Sequence, residues 1–301
     1  NLILNSYGTT LGVEDGMLVV RTKDGKQVFD PKVVKTVQIS KGAQITSDAA
    51  LLAINSNVDV YFIDGVGMPQ GRIWSNKFGS ITTIRRKQLD FSLSERAVEW
   101  IKGIICEKLD NQMAMMLAFD AETADIEAFR LRQMNRIKVY KQKILEIEAS
   151  NIAEAAKSLR GWEGVASKCY FSVLNLFVPE KYKFSERSQH PAKDVFNALL
   201  NYGYGMLYGK IEAELIKAGI DPYIGVLHRE DYNRPVLTFD VIEKFRVWID
   251  YVVMQLVINN AIDQECYSVK DDSSGWLENL GKRILIQSVY DYLDEATGEQ
   301  K

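Results

Sequence analysis

Histidine and cysteine, which together with acidic residues form most catalytic and metal sites, are scarce in this sequence. Among its 301 residues are only two histidines, His190 and His228, and three cysteines. Cys106, Cys169 and Cys266 are odd in number, widely spaced and set in apolar surroundings. That pattern predicts reduced thiols packed in helices, indicates a reducing compartment and contains no zinc-site spacing.

Long apolar runs and an excess of positive charge are also missing. No run approaches the roughly 18 residues of a membrane span, and the N-terminal NLILNSYGTT lacks the basic region and cleavage site of a signal peptide. We therefore expect a cytoplasmic protein. The formal net charge of -3 neither favours nor excludes nucleic acid as a ligand, because binding depends on where the cations lie.

The first part of the chain has the turn signals and side-chain alternation of strands. Asp15-Gly16 and Asp24-Gly25 are typical hairpin dipeptides. Runs of β-branched and aromatic residues follow at 33–39 and 58–63, and Gly and Pro punctuate the residues after 63. Between the runs, TSDAALLAINSN predicts a short helix capped by its threonine or first serine.

From Leu93 onward, apolar residues recur at helical spacing. After a first helix that begins at SERAVEW, the pattern predicts helices near residues 125–148, 151–177, 193–218, 241–260 and 280–294. We therefore expect an α+β fold with a β-rich N-terminal domain at 1–76, a basic linker at 77–92 and a larger all-helical domain at 93–301.

Two basic segments have two possible interpretations. One is the linker cluster that contains Arg85 and Arg86. The other has six cations and no acid between positions 130 and 143: Arg130, Arg132, Arg136, Lys138, Lys141 and Lys143. Each segment is either a solvated helix face or a surface that neutralises DNA phosphates, and the charges alone do not decide between them.

An acidic pair and a histidine occur together in the segment GVLHREDYNRPVLTFDVIEKFR. Asp240 and Glu243 are three residues apart at the start of a predicted helix, so both can project from one face. Spacing alone favours a capping box, in which Asp240 is the N-cap. His228 alone is more often a loop or core histidine than a ligand.

Three motifs taken together resemble the CRISPR-associated integrase family, the larger helical subunit of the spacer-acquisition complex. The first is EGVASKCYF from Glu163, the second is FSERSQHPAKDVFNALLNYGYG, and the third is GVLH with FDVIEKFR. GIICEKLDNQ, with Lys108, also looks like an early helical motif of that family. The resemblance covers essentially the whole chain.

The resemblance implies a site that binds one Mg²⁺ or Mn²⁺ in the helical domain. Its ligands would be Glu163, His228 and Glu243, and Asp240 would orient His228 or a metal-bound water. The implied activity is a DNA endonuclease and integrase that inserts short foreign fragments into a repeat array by attack of a 3′-hydroxyl on a phosphodiester.

The resemblance also implies several binding partners. These are DNA, as spacer precursor and CRISPR repeat, a second copy of the chain that pairs through the β-rich domain, and a small ferredoxin-like subunit. Residues expected to contact phosphates are Arg85, Arg86, Arg130, Arg132, Arg136 and Lys138. Asn197, Asn201 and Tyr202 are expected to organise the helix beside the site, and His190 is expected to be a solvated loop residue.

Three rival interpretations remain open at this point. The chain is a non-catalytic scaffold that binds nucleic acid, a structure-specific nuclease that acts on branched DNA or RNA, or an ordinary helical protein in which Asp240 and Glu243 only cap a helix. Metal-dependent cleavage of DNA would distinguish a nuclease from the scaffold and from the ordinary helical protein. Comparing the cleavage of matched DNA and RNA substrates would identify the structure-specific nuclease.

Overall fold

The computed structural model describes residues 2–63, 69–73, 81–189, 191–228, 234–269 and 275–298. The chain divides into two compact units, Asn1–Arg85 with Ala213–Ile220, and Arg86–Glu212 with Asp221–Lys301. Strands predominate up to residue 73 and helices after it, which confirms the predicted α+β fold. None of the helices in the described ranges combines the length and apolar character that a bilayer span requires.

The first unit contains two four-stranded sheets and one short helix. Its elements are β1 (Leu2–Leu4), β2 (Thr10–Glu14), β3 (Met17–Thr22), β4 (Gly25–Phe29), β5 (Thr36–Ser40), β6 (Gln44–Ile45), α1 (Ser47–Asn55), β7 (Asp59–Ile63) and β8 (Pro69–Ile73). One sheet has the order β1-β5-β7-β8 and the other β4-β3-β2-β6. Buried aliphatic side chains from both sheets and α1 form one core.

Local signals explain most of this unit. Asp15 and Gly16 both have positive φ, 49° and 74°, and Glu14 pairs with Met17, which is the two-residue hairpin that the dipeptide predicts. The Thr46 side chain caps α1 by accepting a hydrogen bond from the Ala49 N–H.

The sequence missed strand β8, although it forms a hairpin with the preceding strand β7. β8 contains Pro69 and Gly71, which indicated a turn, yet it pairs with β7 in antiparallel fashion with an irregular register between Phe62 and Ile63. A Pro or Gly is tolerated in a strand at a sheet edge or an irregularity, and β8 is the edge strand of its sheet.

The second unit is mainly helical. The remaining elements are α2 (Ile81–Ser92), α3 (Glu95–Leu117), α4 (Ala124–Leu145), α5 (Ile152–Phe177), a 3₁₀ turn (Glu180–Tyr182), α6 (Val195–Lys217), α7 (Val236–Ile242), α8 (Arg246–Ile258), β9 (Tyr267–Val269), β10 (Gly275–Leu277) and α9 (Asn279–Gly298). The boundary between the units at Arg85 and Arg86 falls inside α2, so the predicted linker at 77–92 is helical from Ile81 onward.

The helix predicted at 241–260 is interrupted. α7 ends at Ile242 and α8 begins at Arg246, with Glu243 as the C-cap of α7. The apolar pattern continues through both helices, so periodicity alone does not reveal the break.

Helix α3 packs against α4, α5 and α8, and α4 packs against α5. The buried residues of α3 recur every three or four positions, as expected for a helix with one core-facing side. Lys108 and Gln112 occupy two of these buried positions. Charged and amide side chains are seldom fully buried without a partner, so these positions indicate a polar centre inside the helical core.

The N-cap of α5 gives a stability prediction, because this helix carries Glu163. The Asn151 side-chain oxygen accepts hydrogen bonds from the N–H groups of Ala153 and Glu154. Asn151→Ala removes both acceptors, so we expect the free energy of unfolding to fall by about 1 kcal/mol. Chemical denaturation measures the change. Asn151→Ser, which can still cap, should lose much less, and equal losses in the two variants would contradict the capping role.

Candidate active site

One buried lysine joins two acidic residues that are far apart in the sequence. The Lys108 ammonium, on α3, donates hydrogen bonds to Glu163 Oε1 on α5 and to Glu243 Oε2, at 2.5 Å, after α7. The Lys108 side chain is only 7% exposed, against 26% for Glu163 and 15% for Glu243. The Ser167 hydroxyl, one turn after Glu163, also donates to Glu163 Oε1, at 2.8 Å.

Glu243 lies between two cations. Its Oε1 accepts a hydrogen bond from Arg246 Nε at 2.8 Å, while its Oε2 accepts from Lys108. Burial alone would raise the pKa of the Glu243 carboxyl, but Arg246 and Lys108 lower that pKa to about 2. Burial likewise lowers the pKa of Lys108, and the two glutamates more than reverse this effect. Glu243 is therefore an ionised carboxylate at neutral pH.

The break between α7 and α8 positions Glu243. The three residues from Glu243 to Phe245 lie outside both helices, and the carbonyl of Lys244 accepts a hydrogen bond from the Asn111 side chain at 3.2 Å. The Lys244 ammonium pairs with Glu107 at 2.8 Å. Both contacts fix the turn to α3 on either side of Lys108.

The helix-cap interpretation of Asp240 is wrong. Asp240 lies inside α7, which begins four residues earlier, and its carboxylate is 0% exposed. Its Oδ2 accepts hydrogen bonds from the N–H groups of Val226 and Leu227, at 2.7 and 3.1 Å. Its Oδ1 accepts from the His228 N–H at 3.2 Å and lies 2.8 Å from His228 Nδ1. The carboxylate therefore fixes the loop 225–228 to α7.

This pairing determines the tautomer of His228. A carboxylate oxygen accepts hydrogen bonds, so in the neutral imidazole the proton lies on Nδ1 and Nε2 keeps a lone pair. The His228 side chain is 37% exposed. A carboxylate on one ring nitrogen is the usual support for an imidazole that binds a metal through the other nitrogen.

Gly225 allows the loop to turn this tightly. A Cβ at this position would lie 2.3 Å from the His228 carbonyl oxygen and 2.8 Å from Val236. Any larger residue would push the histidine away from Asp240.

A buried polar network that the sequence did not reveal extends from Glu243 into the core. The Arg246 guanidinium lies 4.7 Å from the Tyr204 ring centroid, and the Tyr204 hydroxyl donates to Asp250. The Tyr170 hydroxyl donates to the other oxygen of Asp250 at 2.9 Å. Burial raises the pKa of the Asp250 carboxyl. Arg246 follows Glu243 by three residues, across the break between α7 and α8, and this spacing was the sequence feature that could have indicated their ion pair.

The residues implied as metal ligands form two separate groups. Lys108 links Glu163 with Glu243, and Asp240 holds His228; among the described residues, no hydrogen bond joins His228 to either glutamate. In the part of the chain that the structure describes, no group of three or more His, Cys, Asp or Glu side chains has the arrangement of a metal site.

The donor chemistry nevertheless fits a hard divalent cation. Two ionisable carboxylates and an imidazole with a free Nε2 suit Mg²⁺ or Mn²⁺. The position between the two carboxylates, where opposite charge is most stabilised, is taken by the Lys108 ammonium.

Comparison with known proteins identifies the family. A family model described as CRISPR associated protein Cas1 matches residues 2–291. The CRISPR-associated endonuclease Cas1 1 of Archaeoglobus fulgidus is 33% identical, and the alignment covers 98% of this chain and 89% of that protein. The chain belongs to the Cas1 family. The resemblance found in the three motifs is thereby confirmed.

Two solved structures share the fold at lower identity. A chain of a Cas6-RT-Cas1--Cas2 complex has a TM-score of 0.72 and 22% identity; the match covers 96% of this chain and 32% of that longer one. A casposase bound to integration product has a TM-score of 0.65 and 21% identity, with 97% and 86% of the two chains covered. At these identities the likeness shows the fold alone.

The Cas1-family chain presents most of its candidate phosphate contacts to solvent, but not Arg130. Arg130 is 8% exposed, and its guanidinium donates to the Met116 and Phe119 carbonyls and to Glu127. The remaining donor, Arg130 Nε, is also buried, so the structure does not favour the prediction that Arg130 contacts phosphates. Exposed candidates are Arg85, Arg86, Arg132, Arg136 and Lys138.

Two polar residues of the second motif have structural partners. The Asn197 and Asn201 side-chain oxygens each accept a hydrogen bond from the Arg187 guanidinium at 2.6 Å. Arg187 in turn lies 5.3 Å from the Tyr204 ring centroid, so the asparagines stabilise the network behind Glu243. His190 lies outside the described residues.

The Asp240 contacts give a second prediction. Asp240→Asn replaces one acceptor oxygen with an amide group that faces backbone donors, so we expect the free energy of unfolding to fall by about 3 kcal/mol. The His228 ring should also lose its fixed Nδ1–H tautomer. Denaturant unfolding and ¹⁵N NMR of the imidazole measure the two effects.

Asp263→Asn is the matched control. Asp263 is exposed and accepts a hydrogen bond from the Glu265 N–H at 3.0 Å. Surface changes of this kind usually cost under about 1 kcal/mol. Equal losses in the two variants, with an unchanged His228 tautomer, would exclude the anchoring role of Asp240.

Proposed function

We propose that the chain is a divalent-cation-dependent DNA endonuclease and integrase of CRISPR adaptation. The observation that carries the proposal is the convergence of Glu163 and Glu243 on one buried ammonium, while Asp240, three residues before Glu243, holds His228. Cas1-family membership and the name of the A. fulgidus relative, an endonuclease, support the same conclusion.

Glu163, His228 and Glu243 would hold the Mg²⁺ or Mn²⁺. Once bound, such a cation would polarise the scissile phosphate and lower the pKa of the attacking 3′-hydroxyl or water. Asp240 keeps the proton on His228 Nδ1, so that Nε2 stays available as a ligand. Arg246 helps to keep Glu243 ionised.

The DNA would be bound mainly through its phosphates. Arg132, Arg136 and Lys138 are exposed on α4, and Arg85 and Arg86 are exposed on α2. Contacts of this type release counterions from DNA, so the affinity should fall steeply with salt and depend little on sequence.

The partners follow from the family. We infer a homodimer formed through the β-rich unit and a small ferredoxin-like subunit that joins two dimers. The shared fold with a chain of a Cas6-RT-Cas1--Cas2 complex supports a partner subunit, and the shared fold with a casposase bound to integration product supports insertion of spacer precursors into the CRISPR repeat.

The test is a strand-joining and nicking assay on the full chain with short DNA duplexes and repeat-containing DNA. Glu163→Gln and His228→Ala each remove a ligand, and a bound metal lowers the activation barrier by several kcal/mol, so we expect at least about a hundredfold loss of rate. EDTA should abolish the wild-type reaction, and Mn²⁺ should restore it.

Glu148→Gln serves as the control, since Glu148 is exposed and lies before α5. It should react like the wild type. Folded Glu163→Gln protein with full activity would exclude Glu163 as a ligand of the catalytic metal, and a wild-type chain that binds DNA without nicking or joining it would be a nucleic-acid scaffold. Cleavage of matched RNA at the DNA rate would instead favour a structure-specific nuclease.

A further inference from the structure

The Lys108 ammonium is the internal counter-charge of the candidate metal site. Among the described residues it donates only to Glu163 and Glu243, and it makes no hydrogen bond to the backbone. Buried carboxylates need a compensating charge, since an unpaired ion in the interior costs several kcal/mol. Lys108 supplies that charge when no other cation is bound.

Charges balance around the two glutamates without a metal. Glu163 and Glu243 carry two negative charges, and Lys108 and Arg246 carry two positive ones. Both oxygens of Glu243 already accept a hydrogen bond, one from each cation. A divalent cation that binds Glu243 would therefore lie beside at least one of these two positive groups, which repel it.

Lys108 is the donor that can leave. The Arg246 guanidinium is held against the Tyr204 ring as well as by Glu243, and a guanidinium in such a stacked position is fixed in orientation. The Lys108 ammonium is a point charge on a flexible stem with four carbons, and its two contacts are the carboxylates themselves.

We propose that Lys108 competes with the divalent cation: its ammonium bridges Glu163 and Glu243 in the metal-free protein and withdraws when the cation binds. The ammonium takes one positive charge away from the carboxylates and the cation brings two. The metal-bound site therefore carries one more positive charge than the metal-free site, which favours binding of a phosphate. This inference rests on the metal site of the proposed function and makes Lys108 a positioning residue that lowers metal affinity.

The experiment is a Mn²⁺ titration of the full chain without DNA, followed by the EPR signal of free Mn²⁺. Lys108→Met removes the competing charge and keeps the length of the side chain. We expect Mn²⁺ to bind at least about tenfold more tightly, because the repulsion of one nearby unit charge is lost. A lysine that only braces three helices predicts weaker or unchanged binding.

Lys102→Met is the matched control. Lys102 is on the same helix and its side chain is also 7% exposed, but its ammonium donates to Glu99 and to the Ile147 carbonyl. Its loss should lower stability and leave the Mn²⁺ affinity unchanged. Equal tightening in both variants would overturn the proposal.

A second measurement covers the case in which Lys108→Met does not fold. Crystal structures of the wild-type chain grown with and without Mn²⁺ should show the Lys108 ammonium on both carboxylates only in the metal-free crystal. An ammonium that stays on both glutamates beside a bound Mn²⁺ overturns the proposal.

Glu163→Gln separates this inference from the proposed function. If the variant binds Mn²⁺ as well as the wild type does, the metal site itself is wrong, and the proposal falls with it. If Glu163→Gln loses Mn²⁺ binding while Lys108→Met fails to tighten it, only the role of Lys108 is wrong.

Discussion

The structure around the candidate site depends on compensating two carboxylates that are largely shielded from water. Glu163, on α5, and Glu243, after α7, both accept a hydrogen bond from Lys108, whose positive charge offsets the repulsion between the two carboxylates. The compensation continues outward, from Glu243 to Arg246 and from Arg246 to the Tyr204 ring. Helices α3, α5 and α8 are thus held together by charge as well as by apolar packing.

The Asp240 carboxylate is also stabilised by hydrogen bonds inside the protein, but its donors are backbone N–H groups instead of cationic side chains. A helix N-cap accepts N–H groups at the start of its own helix, whereas Asp240 accepts those of a separate loop at 226–228. The helix cap that spacing favoured and the observed role both use a carboxylate as an acceptor of backbone N–H groups. Only the tertiary fold decides which backbone it meets, and here that choice also orients His228.

Sequence reasoning succeeded where the cause is local. The hairpin at Asp15-Gly16 and the helix capped by Thr46 follow from neighbouring residues alone. β8 was missed because Pro69 and Gly71 indicated a turn, and the break before Arg246 because the apolar pattern continues through it. For the site, the motifs singled out the acids and His228 through a family resemblance, and local spacing favoured a cap instead. Lys108 occupies a core-facing position of α3, and a charged residue at such a position indicates a buried partner. The sequence does not identify that partner, because Glu163 and Glu243 lie 55 and 135 residues away.

Those separations have a consequence for biosynthesis. Lys108 and Glu163 are made long before Glu243, and the loop that carries His228 follows them as well. Contacts of such long range form late, after chain-closure entropy has been overcome. A ribosome-bound or truncated chain that ends before α7 would therefore contain a lysine paired with a single glutamate and no assembled site. The candidate site therefore becomes complete only after α7 and the start of α8 have been made.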